Sequence, residues 1–342
     1  DYTWAVALGT CAIILYTAVG GFLAVSWTDL MQALLMLVAL IAVPLMAISA
    51  LGGIDATLVK VKQTNPELLN AFTSSEGTGL TLIGILSLLG WGLGYFGQPH
   101  ILARFKGIES LAAIPKARLI AVSWTFLTLA GASLAGIAGI GYLDPPLAGA
   151  DSEKVFIQLV GLLFHPVIAG ICLAAILAAI MSTADSQLLV AASALTADLY
   201  KGVVRKTATP RELMWAGRLT VILVACIAFL LALNPESKVL DLVAYAWAGF
   251  GAAFGPTLLF SLYWRRMNRL GALAGILTGG VTVVIWKQLS GGLFDLYEII
   301  PGFILSSIAI VVFSRLSREP AAGIIAEYAQ VKKTTAPRLS DN

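Results

Sequence analysis

Apolar runs of about 20 residues, the length a helix needs to cross a hydrocarbon core about 30 Å thick, recur along the whole of this 342-residue chain. Hydrophobic residues make up 58% of it and charged residues 12%, whereas a soluble domain carries roughly a quarter of its residues charged. Most of the surface must therefore face something other than water. Strands cross lipid only as closed barrels, and the alternating ten-residue pattern of barrel strands is absent. The sequence predicts an all-α polytopic membrane protein.

The expected spans are nine, near residues 4–25, 30–50, 79–99, 119–143, 166–198, 214–233, 239–263, 270–289 and 298–314. Together they read as one transmembrane domain over 1–316, followed by a charged, poorly ordered tail over 317–342. Polar loops are expected over 51–78, with Asn65-Pro66 and Ser74-Ser75, and over 144–165, with an amphipathic stretch from Lys154 to Phe164. Lys and Arg divide unevenly between the two sides of such a topology: 17 on one, and on the other the five residues Lys60, Lys62, Lys154, Lys238 and Lys287. The richer side includes Arg104, Arg205, Arg266 and Arg338. Positive residues stay in the cytoplasm, so the tail is predicted to be cytoplasmic. The net charge of +3 reports this topology and not an affinity for nucleic acid. Cys11, Cys172 and Cys226 all fall in apolar spans and are expected as small buried hydrophobes.

Gly92-x-Gly94-x-x-Gly97 matches a dinucleotide-binding fingerprint, but that motif needs a preceding strand, and here it lies within an apolar span. Gly90, Gly92, Gly94 and Gly97, ended by Pro99, instead predict a helix interrupted at membrane depth. Interrupted helices line binding sites in secondary transporters; close packing through small residues would use the same glycines. Trp91 and Tyr95 sit among them. A second signal is Asp185, deep in the fifth span, where a lone charge costs about 2.5–3.5 kcal/mol and calls for a partner. With Ser182, Thr183 and Ser186 it offers the oxygens a hard cation takes. Alternatively the hydroxyls bond back to the preceding turn and Asp185 pairs with an arginine. Asp29, in the short link after Gly20-Gly21, is either the N-cap of the second span or a cation ligand. No arrangement of catalytic residues is present.

Three stretches carry a resemblance. Leu15–Asp29 (LYTAVGGFLAVSWTD), Gly90–Phe105 (GWGLGYFGQPHILARF) and Tyr245–Pro256 (YAWAGFGAAFGP) resemble the sodium:solute symporter family, and Arg266 with Gly271-Ala272-x-x-Gly275 matches a signature of it. The resemblance implies an inverted-repeat fold of five plus five core helices, of the leucine-transporter type. The first span is similar to core helix four, and the third and fifth to core helices six and eight. The chain would then hold core helices four to ten and two peripheral helices, and be incomplete at its N-terminus. The resemblance further implies sodium on the Ala179 carbonyl and the Ser182 and Thr183 hydroxyls, with the rest of the shell on a helix outside this chain. It implies a second cation at Asp29, Asp185 and Ser186, where Asp185 stands in place of a serine and leaves sodium and a proton equally open. Substrate would meet Trp91, Tyr95 and Pro99. The implied activity is sodium-coupled import of L-proline across the bacterial cytoplasmic membrane by alternating access, with no enzymatic step and no required protein partner. The same machine with pantothenate, another amino acid or a sugar is one alternative; a non-transporting scaffold or sensor is another.

Overall fold

The computed structural model describes residues 2–74, 77–233 and 239–335. Ser75, Lys238 and Arg338, named above, lie outside them. Every regular element among the described residues is a helix: α1 (Tyr2–Ala50), α2 (Ile54–Thr64), α3 (Leu82–Gly90), α4 (Pro99–Lys106), α5 (Ile114–Tyr142), α6 (Val155–Leu163), α7 (Pro166–Ser193), α8 (Pro210–Leu231), α9 (Val239–Tyr263), α10 (Arg269–Trp286), α11 (Ile299–Leu316) and α12 (Ala322–Thr335). A 3₁₀ segment (Trp91–Gly97) joins α3 to α4, and a π-helical segment (Ala194–Val204) extends α7. Seven stretches of the described residues are long and apolar enough to span a bilayer, and Thr3–Ala18 and Leu82–Gly97 are shorter apolar helices.

The helices gather into two compact units. One comprises residues 1–78 and 107–236; the other comprises 79–106 and 237–342.

In the first unit α1 runs through both of the first two expected spans. The predicted link at Trp27-Thr28-Asp29 is helical, and the backbone breaks earlier, at Gly21 (φ 61°, ψ −163°). That conformation is essentially restricted to glycine, which is why the break falls on the Gly-Gly pair and not on the polar residues after it. Asp29 is therefore not an N-cap. Small side chains let the helices approach closely: Ala39, Val43 and Ala47 of α1 pack with Ala138 of α5, Leu159 and Val160 of α6, and Cys172 and Ala175 of α7. Cys172 is buried as expected, but Cys11 and Cys226 are exposed. The start of α8 is written locally. Thr209 accepts from the Glu212 amide at 3.3 Å, Glu212 accepts from the Thr209 amide at 3.4 Å, and Pro210 fills the first turn, a capping box.

In the second unit α9, α10 and α11 enclose Ala248, Ala252, Val283 and Ile299. Asn268 caps α10 by accepting from the Gly271 amide at 3.0 Å, and its Nδ2 donates to Ser317 Oγ at 2.7 Å and to the Arg318 carbonyl at 2.8 Å. Arg266 donates to the carbonyls of Ser317 at 2.9 Å and Arg318 at 3.3 Å, at the C-terminal end of α11, where a cation is favoured. Arg266→Ala is expected to lower the stability of this unit by about 1–3 kcal/mol, visible as a reduced thermal unfolding midpoint. An unchanged midpoint would show that this cap contributes nothing. The tail, expected to be poorly ordered, forms α12 over Ala322–Thr335. Its Ala, Glu, Gln and Lys residues are good helix formers, and Tyr328 donates to the Tyr263 carbonyl at 3.2 Å.

Candidate ion and substrate sites

In the first unit the sodium ligands implied by resemblance converge on one turn of α7. The Ala179 carbonyl accepts from Ser182 Oγ at 3.1 Å and from Thr183 Oγ1 at 3.0 Å. This is the back-bonding that serine and threonine favour in a helix. It also gathers three oxygens of the kind a hard cation takes, the carbonyl held by the backbone and the two hydroxyls free to rotate away from it.

The second group is tied together across helices. Ser186 Oγ donates to the Ser182 carbonyl at 2.8 Å and lies 3.3 Å from Asp29 Oδ2 on α1 and 3.4 Å from Asp185 Oδ1. Asp185 is fully buried. Its partner is not an arginine: Tyr16 on α1 donates to Asp185 Oδ2 at 2.7 Å and also approaches the Met181 carbonyl at 3.3 Å. Two carboxylates linked through one hydroxyl can hold a cation between them or share a proton. Tyr16 was not singled out as a site residue from the sequence. Its place within the Leu15–Asp29 stretch was the only signal available.

In the second unit the predicted interruption is present, but its backbone is 3₁₀-helical and not unwound. Gln98, extended at φ −77° and ψ 116°, separates that segment from α4. An extended residue is what a following proline demands, here Pro99. Two carbonyls near the break are taken by side chains: Trp247 Nε1 donates to the Trp91 carbonyl at 2.9 Å, and buried Gln98 donates to the Gly94 carbonyl at 3.3 Å and to the Trp247 carbonyl at 3.2 Å. Gly94 is required by close approach, since a Cβ there would overlap the Trp247 indole. The Trp91 ring stacks on Trp247 at 5.3 Å and on Tyr297 at 6.4 Å, while Tyr95 meets Trp247 edge-on at 4.9 Å and remains 48% exposed. Trp91 is thus committed to an aromatic stack, and Tyr95 is the more available of the two. Trp247 and Gln98, which organise the break, were not picked out from the sequence, although the Tyr245–Pro256 stretch contains the first and Gly90–Phe105 the second.

Over residues 1–279 the chain matches the model of the sodium:solute symporter family, and it belongs to that family. It is 53% identical over 335 residues to the sodium/proline symporter of Salmonella typhimurium, covering 96% of this chain and 65% of that protein. It is 49% identical over 325 residues to an osmoregulated proline transporter of Bacillus subtilis, covering 94% of this chain and 65% of the relative. The chain therefore spans about 65% of the length of these curated relatives. Among solved structures, a substrate-bound, outward-open Na⁺-coupled sialic acid symporter superposes with a TM-score of 0.71 at 20% identity, over 93% of this chain and 68% of that one. The fold is accordingly the all-helical, inverted-repeat symporter fold, in a multi-pass membrane protein.

Proposed function

We propose that the protein imports L-proline into the bacterial cytoplasm together with sodium. The observation that carries this reading is the oxygen cluster of Ala179, Ser182 and Thr183 on α7, in a chain about half identical to sodium/proline symporters. Sodium occupies that cluster. Asp29, Asp185 and Ser186 hold a second cation, and Tyr16 fixes the orientation of Asp185. Trp91, Tyr95 and Pro99 contribute to the proline site, with Tyr95 offering its ring to the apolar pyrrolidine. The work is transport and not chemical conversion. Ion binding drives it only if sodium favours one conformation over the other; an ion with equal affinity for both would shift nothing. The membrane is the cytoplasmic one, with α12 on the cytoplasmic side in accord with the excess of Lys and Arg there.

Proteoliposomes of the full-length protein, given radiolabelled proline and an imposed sodium gradient, test this directly. Proline should accumulate with sodium outside and fail to accumulate with potassium. Accumulation of pantothenate or a sugar in its place would overturn the substrate, and equal uptake in both salts would overturn the coupling. Tyr95→Ala is expected to raise the half-saturating proline concentration about tenfold while leaving the half-saturating sodium concentration within twofold, a shift of about 1.4 kcal/mol in substrate affinity alone. Parallel loss of both would mark Tyr95 as structural.

A further inference from the structure

A cavity of about 390 Å³ lies in the first unit, lined by none of the proposed ion ligands, between α1, the junction of α7 with its π-helical extension, and the start of α8. Its walls include Thr17 and Gly21 of α1, Thr196 of the π-helical segment, and Leu213, Gly217 and Arg218 of α8. Two backbone irregularities frame it, the break at Gly21 and the π-helical stretch beginning at Ala194. Irregular backbone at membrane depth is tolerated where it borders protein or a cavity, and π-helical turns concentrate at functional sites.

Two features of this cavity are costly unless something polar occupies it. Thr17 and Thr196 are 2% and 7% exposed, and among the described residues the buried Oγ1 of each has no hydrogen-bond partner. Buried hydroxyls are ordinarily satisfied. Thr196 Oγ1 faces the bare backbone of Gly217, whose absent Cβ would stand 3.9 Å from it. The second feature is Arg218. It lies eight residues into α8, about 12 Å along the helix axis, in a span where an ionised side chain needs a partner. Among the described residues no carboxylate forms an ion pair with it. Its guanidinium carbon lies instead 5.0 Å from the centroid of the Trp215 ring. A cation–π contact leaves the guanidinium N–H groups free to donate.

Two unsatisfied hydroxyls and an uncompensated guanidinium around one opening make a seat for an anion. We propose that the cavity binds the phosphate of an anionic phospholipid: Arg218 donates to the phosphate oxygens, and the Thr17 and Thr196 hydroxyls serve the polar headgroup. The lipid is preferred to a free phosphate because α8 is apolar and exposed beside the opening. Met214, Trp215 and Leu219 are 47%, 57% and 68% exposed, a surface on which acyl chains can lie. Basic pockets between membrane helices take such headgroups. The site is independent of which solute is carried, so failure of the proline reading leaves it standing.

The test is native mass spectrometry on the full-length protein in detergent, titrated with dioleoylphosphatidylglycerol, with dioleoylphosphatidylcholine and with inorganic phosphate. One phosphatidylglycerol should bind more tightly than the rest and about tenfold more tightly than phosphatidylcholine. Inorganic phosphate should not displace it at equal concentration. Arg218→Gln should weaken that binding about tenfold, Arg218→Lys less, and Thr196→Val about threefold. Gly217→Leu, which fills the cavity without touching a charge, should abolish it. Thermal unfolding with and without lipid separates binding from folding: the stabilisation that phosphatidylglycerol confers should disappear in Gly217→Leu even where the lipid-free midpoint is unchanged. Equal binding of the two lipids, undiminished binding in Thr196→Val and Gly217→Leu, or displacement by inorganic phosphate would each overturn the proposal.

Discussion

The double substitution Ser182→Ala with Thr183→Ala is expected to raise the sodium concentration needed for half-maximal proline uptake by about 100-fold. Each hydroxyl is taken to supply one ligand, and a loss of about 1.4 kcal/mol per ligand is tenfold in affinity, within the range for an interaction with a charged group. The geometry makes a folding explanation testable. Both hydroxyls donate to the same carbonyl, that of Ala179. The helix keeps its own backbone bonds when they are removed, and alanine is the better helix former. The thermal unfolding midpoint without sodium should therefore hold or rise while sodium dependence collapses. If only the back-bonding matters, the midpoint moves and the half-saturating sodium concentration does not. Single substitutions should each cost about tenfold, and a double variant no worse than either single would show that only one hydroxyl reaches the ion.

The helices were legible because their signal is local. Each apolar run describes its own element, whereas the caps at Thr209 and Asn268 emerge only in the structure. What escaped depends on pairing between distant positions. The break at Gly21 was displaced in the sequence reading to the polar Trp27-Thr28-Asp29, because a glycine pair is tolerated within a helical pattern while a polar triplet imitates a loop; only packing of α1 against α5, α7 and α8 decides between them. Asp185 was recognised as needing a partner, but Tyr16 lies 169 positions away, and nothing in either residue's neighbourhood distinguishes a phenol from an arginine as that partner. The glycines at 90–97 announced an interruption without revealing how its carbonyls are satisfied, since Trp247 arrives from α9, 156 positions beyond Trp91. The exposed faces of Cys11 and Cys226 belong to the same category. Hydropathy places a residue in a span and says nothing about which way it points.

Gly94→Ala is expected to be severely damaging to the second unit. The new Cβ would occupy the position of the Trp247 indole, so the ring must leave. With it go the 2.9 Å bond to the Trp91 carbonyl, the stack on Trp91 and the edge-on contact with Tyr95. Overpacking alone costs about 1–3 kcal/mol, and a part-buried carbonyl left without its donor adds up to about 1–3 kcal/mol. A loss of about 2–6 kcal/mol follows, a large part of the stability of an ordinary domain, and proline uptake should fall below detection. The assignment to Trp247 is checked by a double-mutant cycle. Trp247→Leu alone should destabilise by removing the stack and the hydrogen bond. Once the indole is gone, however, Gly94→Ala should add less than 1 kcal/mol, since contacting residues depart from additivity by about 0.5–3 kcal/mol. Thermal unfolding of the two single variants and the double variant measures that coupling. Strict additivity would mean that the methyl group meets something other than Trp247, and that the tryptophan does not hold the interrupted helix in place. Strong coupling with uptake still absent in the double variant would mean that the fold tolerates loss of the indole and transport does not. Trp247 would then organise the proline site through Trp91 and Tyr95.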